Sequence, residues 1–86
     1  MRRASRGLRE LRVFGDRIRA YRLKRDLCQE DLGELAGLHR TYIGHLERGE
    51  VNPSLVNVLK VATALEVDAA ALVKGLTKGV GDPRTV

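Results

Sequence analysis

Cysteine occurs once in these 86 residues, tryptophan not at all, and aromatic side chains only at Phe14, Tyr21 and Tyr42. The single Cys28 excludes an intrachain disulfide, and a lone thiol fits a reducing compartment, so the chain is read as cytoplasmic. So few aromatic rings argue against a stacking platform for single-stranded nucleic acid. No Cys/His cluster has the spacing of a zinc site, and His39 and His45 do not share a helix face. A nucleophile–base arrangement and a Gly-rich phosphate loop are also missing, so no catalytic residue, metal or cofactor is expected. No run approaches the ~18 apolar residues of a membrane span. The basic N-terminus has no apolar stretch of the kind a secretory signal needs. A chain of this size makes one domain that buries only about 60% of its unfolded surface. Its stability must come from packing, alone or with a partner subunit.

The charge is uneven. Residues 1–25 hold ten Lys/Arg against Glu10 and Asp16, whereas residues 26–86 hold six Lys/Arg against nine Asp/Glu. A polyanionic partner and a merely solvated basic tail both fit so basic a start. Strand signals are absent and helical periodicity runs nearly throughout. Phe14, Ile18 and Tyr21 form one face of a first helix, which Leu8 and Leu11 extend backwards across Gly15. Leu32, Leu35 and Ala36 make a second apolar set, and Ile43 and Leu46 a third. The strongest set is the fourth, Leu55, Val58, Leu59, Ala62 and Leu65. A fifth holds Ala69, Leu72 and Val73, with Leu76 at its edge. Gly49 is placed to end a helix in the left-handed conformation. Ser54 and Asp68 are N-caps for the fourth and fifth helices. The expected fold is all-α, with five helices. Its expected divisions are a basic extension at 1–12, a helical domain at 13–76 and a flexible tail at 77–86.

Between the second and third sets lie only Gly37, Leu38 and His39. Two short helices joined by a three-residue turn containing glycine form a helix-turn-helix unit, here at 29–48. Gly33 falls where the two helices approach, and Gly37 where a positive backbone angle is easiest. The second helix of the pair then exposes Arg40, Thr41, Gly44, His45 and Arg48, a face that a major groove accepts. An ordinary αα-hairpin of a small bundle has the same spacing, so periodicity leaves both open.

The string from Gln29 to Leu55, QEDLGELAGLHRTYIGHLERGEVNPSL, closely resembles the Cro/phage-repressor, or Xre-type, family of helix-turn-helix regulators. Its marks are Gln29, Gly37-Leu38, Arg40 to Ile43, Leu46 to Gly49 and Asn52-Pro53-Ser54, and the resemblance spans roughly residues 14–76. It implies a five-helix lambda-repressor-like domain that binds double-stranded DNA and regulates transcription, as a repressor or controller. It puts the third helix in the major groove, with Arg40, Thr41 and His45 at base edges and His39 at the margin. Arg reads guanine through O6 and N7 together. Gln29, Arg48 and Asn52 match positions that meet the DNA backbone. Tyr42 either reaches a phosphate or covers the edge of the unit. Arg22 and Glu47 match a partly buried ion pair between the first and third helices.

Three positions depart from the family pattern. Cys28 and His39 stand where capping Ser or Thr is usual, which predicts a weak start for the second helix. A redox-sensitive thiol and a plain small residue are both open for Cys28. Gly44 sits in mid-helix, where Gly costs ~1 kcal/mol against Ala. Formal charges on residues 39–50 cancel, so phosphate affinity is expected from Arg2, Arg3, Arg6, Arg9 and Arg12, as an arm or as an extended first helix. Reading a two-fold operator needs a homodimer, expected through the apolar helix at 67–76. An antitoxin and a protein-interaction module on the same fold are the alternatives.

Overall fold

The computed structural model describes residues 8–77, and these form five helices with no strand among them. Helix α1 spans Leu8–Lys24, α2 Gln29–Ala36, α3 Arg40–Glu47, α4 Leu55–Leu65 and α5 Ala69–Val73. The first helix runs without a break from Leu8, so the stripe of Leu11, Phe14 and Ile18 is one helix face and residues 8–12 belong to α1. Arg2, Arg3, Arg6 and the segment 78–86 lie outside the described residues. No described helix is long and apolar enough to cross a membrane.

All five helices supply the core. Phe14 and Ile18 come from α1, Leu32 and Ala36 from α2, Ile43 and Leu46 from α3, Val61, Ala62 and Leu65 from α4, and Leu72 from α5. The fourth helix differs from its expected face. Leu55 is 71% exposed and Leu59 is half-exposed, while Val61 is completely buried. The cause is composition: α4, LVNVLKVATAL, is so apolar that two overlapping stripes satisfy the helical period. Packing against α1, α2 and α5 selects the stripe ending in Val61, Ala62 and Leu65. Leu35 is also 60% exposed, so only Leu32 and Ala36 of the second set are core residues. The fifth helix is shorter than 67–76. It stops at Val73, and Gly75 follows with φ +79°.

The helix ends correct the reading of Cys28 and His39. Cys28 Sγ accepts the Asp31 backbone N–H at 3.4 Å, and Asp31 Oδ2 accepts the Cys28 N–H at 3.0 Å, a complete capping box. These bonds hold the Asp31 carboxyl below the usual carboxylate range. The acidic partner at N3 thus makes good the weak cap. His39 caps α3 through Nδ1, which accepts the Thr41 N–H at 3.0 Å. Ser54 and Asp68 cap α4 and α5 as expected.

Two glycines set how closely α3 seats. A Cβ on Gly33 would stand 2.5 Å from the Leu38 carbonyl oxygen in the turn. On Gly15 it would collide with the carbonyls of Leu46 and Glu47, because α1 crosses directly over the end of α3 there. Gly44 is different: a Cβ would meet only the side-chain ends of Arg48 and Gln29, at 3.2 and 3.4 Å. Gly15→Ala should therefore destabilise the fold by about 1–3 kcal/mol, since backbone must shift. Gly44→Ala should leave stability unchanged or raise it by up to about 1 kcal/mol. Thermal melts of the two variants check the opposite signs.

Candidate nucleic-acid interface

Helix α3 is held from behind by a single buried ion pair. Arg22 of α1 donates from Nε to Glu47 Oε2 at 2.6 Å and from Nη2 to Glu47 Oε1 at 2.9 Å. The two side chains are only 8% and 3% exposed. Arg22 Nη1 also donates to the Leu27 carbonyl at 2.8 Å, and Gln29 Nε2 donates to Glu47 Oε1 at 3.1 Å. Four segments are joined in this way: α1, the loop after it, the first turn of α2 and the last turn of α3. The Glu47 hydrogen bond and charge raise the Arg22 guanidinium further above its ordinary range. A bidentate pair of this kind fixes orientation as well as distance.

The outer face of α3 carries the expected reading residues. Arg40, Thr41 and His39 are exposed at its first turn and His45 is half-buried one turn on. Arg40 lies 3.6 Å from Glu30 on α2. Arg48 is exposed beyond the helix end and folds back over Gly44. Its Nε donates to Glu50 Oε2 at 3.1 Å, and His45 Nδ1 lies 2.7 Å from Glu50 Oε1. His39 has Nδ1 committed to its cap. Gln29 stands at the start of α2 as expected, with its amide turned inward to Glu47. Tyr42 is half-buried, its ring packs against the core, and its hydroxyl accepts from Asn57 Nδ2 at 3.1 Å. Asn52 is exposed and lines a cavity with Glu10, Leu11, Phe14 and Pro53, away from the first turn of α3.

Burial changes the charge of this face. Glu47 is consumed inside by Arg22, so the formal cancellation over residues 39–50 does not describe the surface. What α3 and its following loop expose is Arg40 and Arg48 against Glu50. The basic first third changes in the opposite direction. Arg17 donates to the carbonyls of Leu72 and Lys74 at the end of α5. Arg25 donates to the Leu65 carbonyl at the end of α4 and pairs with Glu66. With Arg22, three of those cations serve helix ends and the core. Sequence reading assigned no role to Arg17, Arg25, Glu30 or Glu50. Nothing local marks them, because each partner lies on another element or beyond a helix end. Among the described residues no group of His, Cys, Asp and Glu is placed to hold a metal ion.

Residues 18–72 match the helix-turn-helix family. The chain is 42% identical over 60 residues to control protein C.SmaI of Serratia marcescens, a match covering 70% of this chain and 71% of that protein. The crystal structure of the restriction-modification controller protein C.AhdI from Aeromonas hydrophila superposes with a TM-score of 0.72 at 49% identity. That match covers 73% of this chain and 96% of that one. The P22 c2 repressor, solved in complex with a synthetic operator, superposes with a TM-score of 0.69 at 36% identity, covering 73% and 96% of the two chains.

Removing Glu47 leaves Arg22 buried without its partner, a change that costs about 3–5 kcal/mol. Glu47→Ala should therefore lower Tm sharply or leave the domain loosely packed. A melt within a degree of the parent protein would contradict the buried pair.

Proposed function

The chain belongs to the helix-turn-helix family of DNA-binding transcriptional regulators, and on that footing we propose that α3 reads a two-fold operator as part of a homodimer. One observation carries this reading: the Arg22–Glu47 clamp holds α3 so that Arg40, Thr41 and His45 stand together on its outer side. Arg40 is assigned to a guanine, Thr41 to a thymine methyl and His45 to a base edge. His39 stays at the margin, because its Nδ1 is spent on the cap. Arg48 is assigned to a phosphate beyond the helix end, with Asn52 further along the backbone. Gln29 and Tyr42 are assigned to phosphates: the Gln29 amide has a second hydrogen beyond its bond to Glu47, and the Tyr42 hydroxyl, which accepts from Asn57, keeps its own hydrogen to donate. The similarity to controllers through most of their length supports a transcriptional controller. We assign the chain no catalysis, and place its work in the cytoplasm.

The dimer needs an apolar surface. The segment 67–76 buries Leu72 completely and Leu76 in part, and leaves Ala70 and Val73 exposed. Leu35 of α2 and Leu55, Val56 and Leu59 of α4 remain exposed. We assign the second copy to this α2/α4 face, since burial of apolar area drives association. The same face is what favours the alternative, a protein-interaction module. Selecting bound duplexes from a random pool separates the two. The wild-type chain should enrich a two-fold motif with half-sites about one helical turn, ~34 Å, apart. Leu59→Asp should lose the two-fold motif while staying folded. A specificity ratio near unity would favour the interaction module, and an unsymmetric wild-type motif would contradict the dimer.

The N-terminal segment supplies further grip on the backbone in this reading. Removing residues 2–7 deletes Arg2, Arg3 and Arg6. The slope of log K against log salt should then flatten by roughly 0.9 for each phosphate that is no longer neutralised. An unchanged slope would contradict the arm.

A further inference from the structure

Glu50 is held in place by the backbone before its side chain does anything. Gly49 takes φ +73°, its N–H donates to the Leu46 carbonyl at 3.1 Å, and the Glu50 N–H donates to the His45 carbonyl at 2.9 Å. This closure at the end of α3 returns the chain across the helix it has just left. The Glu50 carboxylate is thereby brought back to His45, 2.7 Å from Nδ1, and to Arg48 Nε at 3.1 Å. Both neighbours belong to the face assigned to DNA.

An ionised carboxylate can only accept hydrogen bonds, so a 2.7 Å contact requires the hydrogen on His45 Nδ1. Arg48 Nη2 stands 3.4 Å from the same nitrogen. A guanidinium can only donate, so by itself it favours the opposite tautomer. The carboxylate is closer, and it also engages Arg48 through its second oxygen. The contact leaves the Glu50 carboxyl below the usual carboxylate range, with the His45 bond as the largest cause. A neutral imidazole with hydrogen on Nδ1 has its remaining lone pair on Nε2.

We propose that Glu50 is a specificity-determining positioning residue: it fixes His45 as the Nδ1–H tautomer, so that Nε2 accepts from a base bearing an exocyclic amino group. In the major groove such bases are adenine, through N6, and cytosine, through N4. The opposite tautomer would donate from Nε2, which admits guanine through O6 or N7 and thymine through O4, keeps adenine only through N7, and excludes cytosine. This rests on the assignment of α3 to the groove. It deepens that assignment by naming which bases one position takes and which residue outside the helix decides it.

The test has two arms at about pH 8.5, above the usual imidazole range. Nitrogen-15 spectra of the His45 ring in the DNA-free protein should show hydrogen on Nδ1, and Glu50→Ala should move it to Nε2. Duplex selection should show adenine or cytosine at one step for the wild type. Glu50→Ala should shift the preference at that step toward guanine or thymine by about tenfold, and His45→Ala should erase it. Hydrogen on Nε2 in the wild-type protein would overturn the proposal. So would a Glu50→Ala motif identical to the wild type with affinity raised for every duplex, which marks Glu50 as a mere charge. A wild-type protein that selects no motif refutes the groove reading itself. The spectra of the free protein distinguish that failure from a wrong tautomer.

Discussion

The structure turns on the bidentate pair between Arg22 and Glu47. An α3 of eight residues is too short to be stable by itself in water. It is helical because Ile43 and Leu46 are buried, and it faces outward because Glu47 is tied to α1. The same guanidinium bonds the Leu27 carbonyl, and the same carboxylate receives Gln29. The loop between α1 and α2 and the start of α2 are therefore set by the group that sets α3. Gly15 completes the arrangement by letting the α1 backbone lie against the last carbonyls of α3. With the rear of the helix committed so fully, only Arg40, Thr41, His45 and Arg48 are left for another molecule.

Much of this was legible in the sequence. Turn glycines, the Ser54 and Asp68 caps and the Phe14–Ile18 stripe are local signals, and each matches the structure. The second and third helices followed from their apolar sets and the three-residue turn, the Arg22–Glu47 pair from resemblance alone, and all three are present in the structure. What failed was whatever depends on more than one element. The face of α4 could not be chosen from a segment apolar on nearly every side. Cys28 looked like a poor cap because the remedy, Asp31, acts through its side chain from the following turn.

Charge was the least legible property. Counting residues made the reading helix neutral and the first third strongly basic, and both counts mislead for one reason. Ionic groups bound inside the fold do not act on the outside. Glu47 disappears from the exposed charge of α3 and Arg22 from that of the first third, while Arg17 and Arg25 stay at least partly exposed with hydrogen bonds spent on the carbonyls that end α5 and α4. Glu50, which no motif flags, becomes the one carboxylate of the α3 segment that is left at the surface, beside two residues assigned to DNA. The electrostatic face of a small regulator is thus a result of its folding as much as of its composition.

The central claim is that the clamp presents the outer side of α3 to the bases of duplex DNA. Backbone amide shifts followed during titration with a selected duplex test it most directly. The large changes should cluster at Gln29, Arg40, Thr41, His45 and Arg48, with Leu35, Leu59 and Val73 changing only as far as a second subunit is recruited. Changes centred on α2 and α4 with α3 unmoved would contradict it.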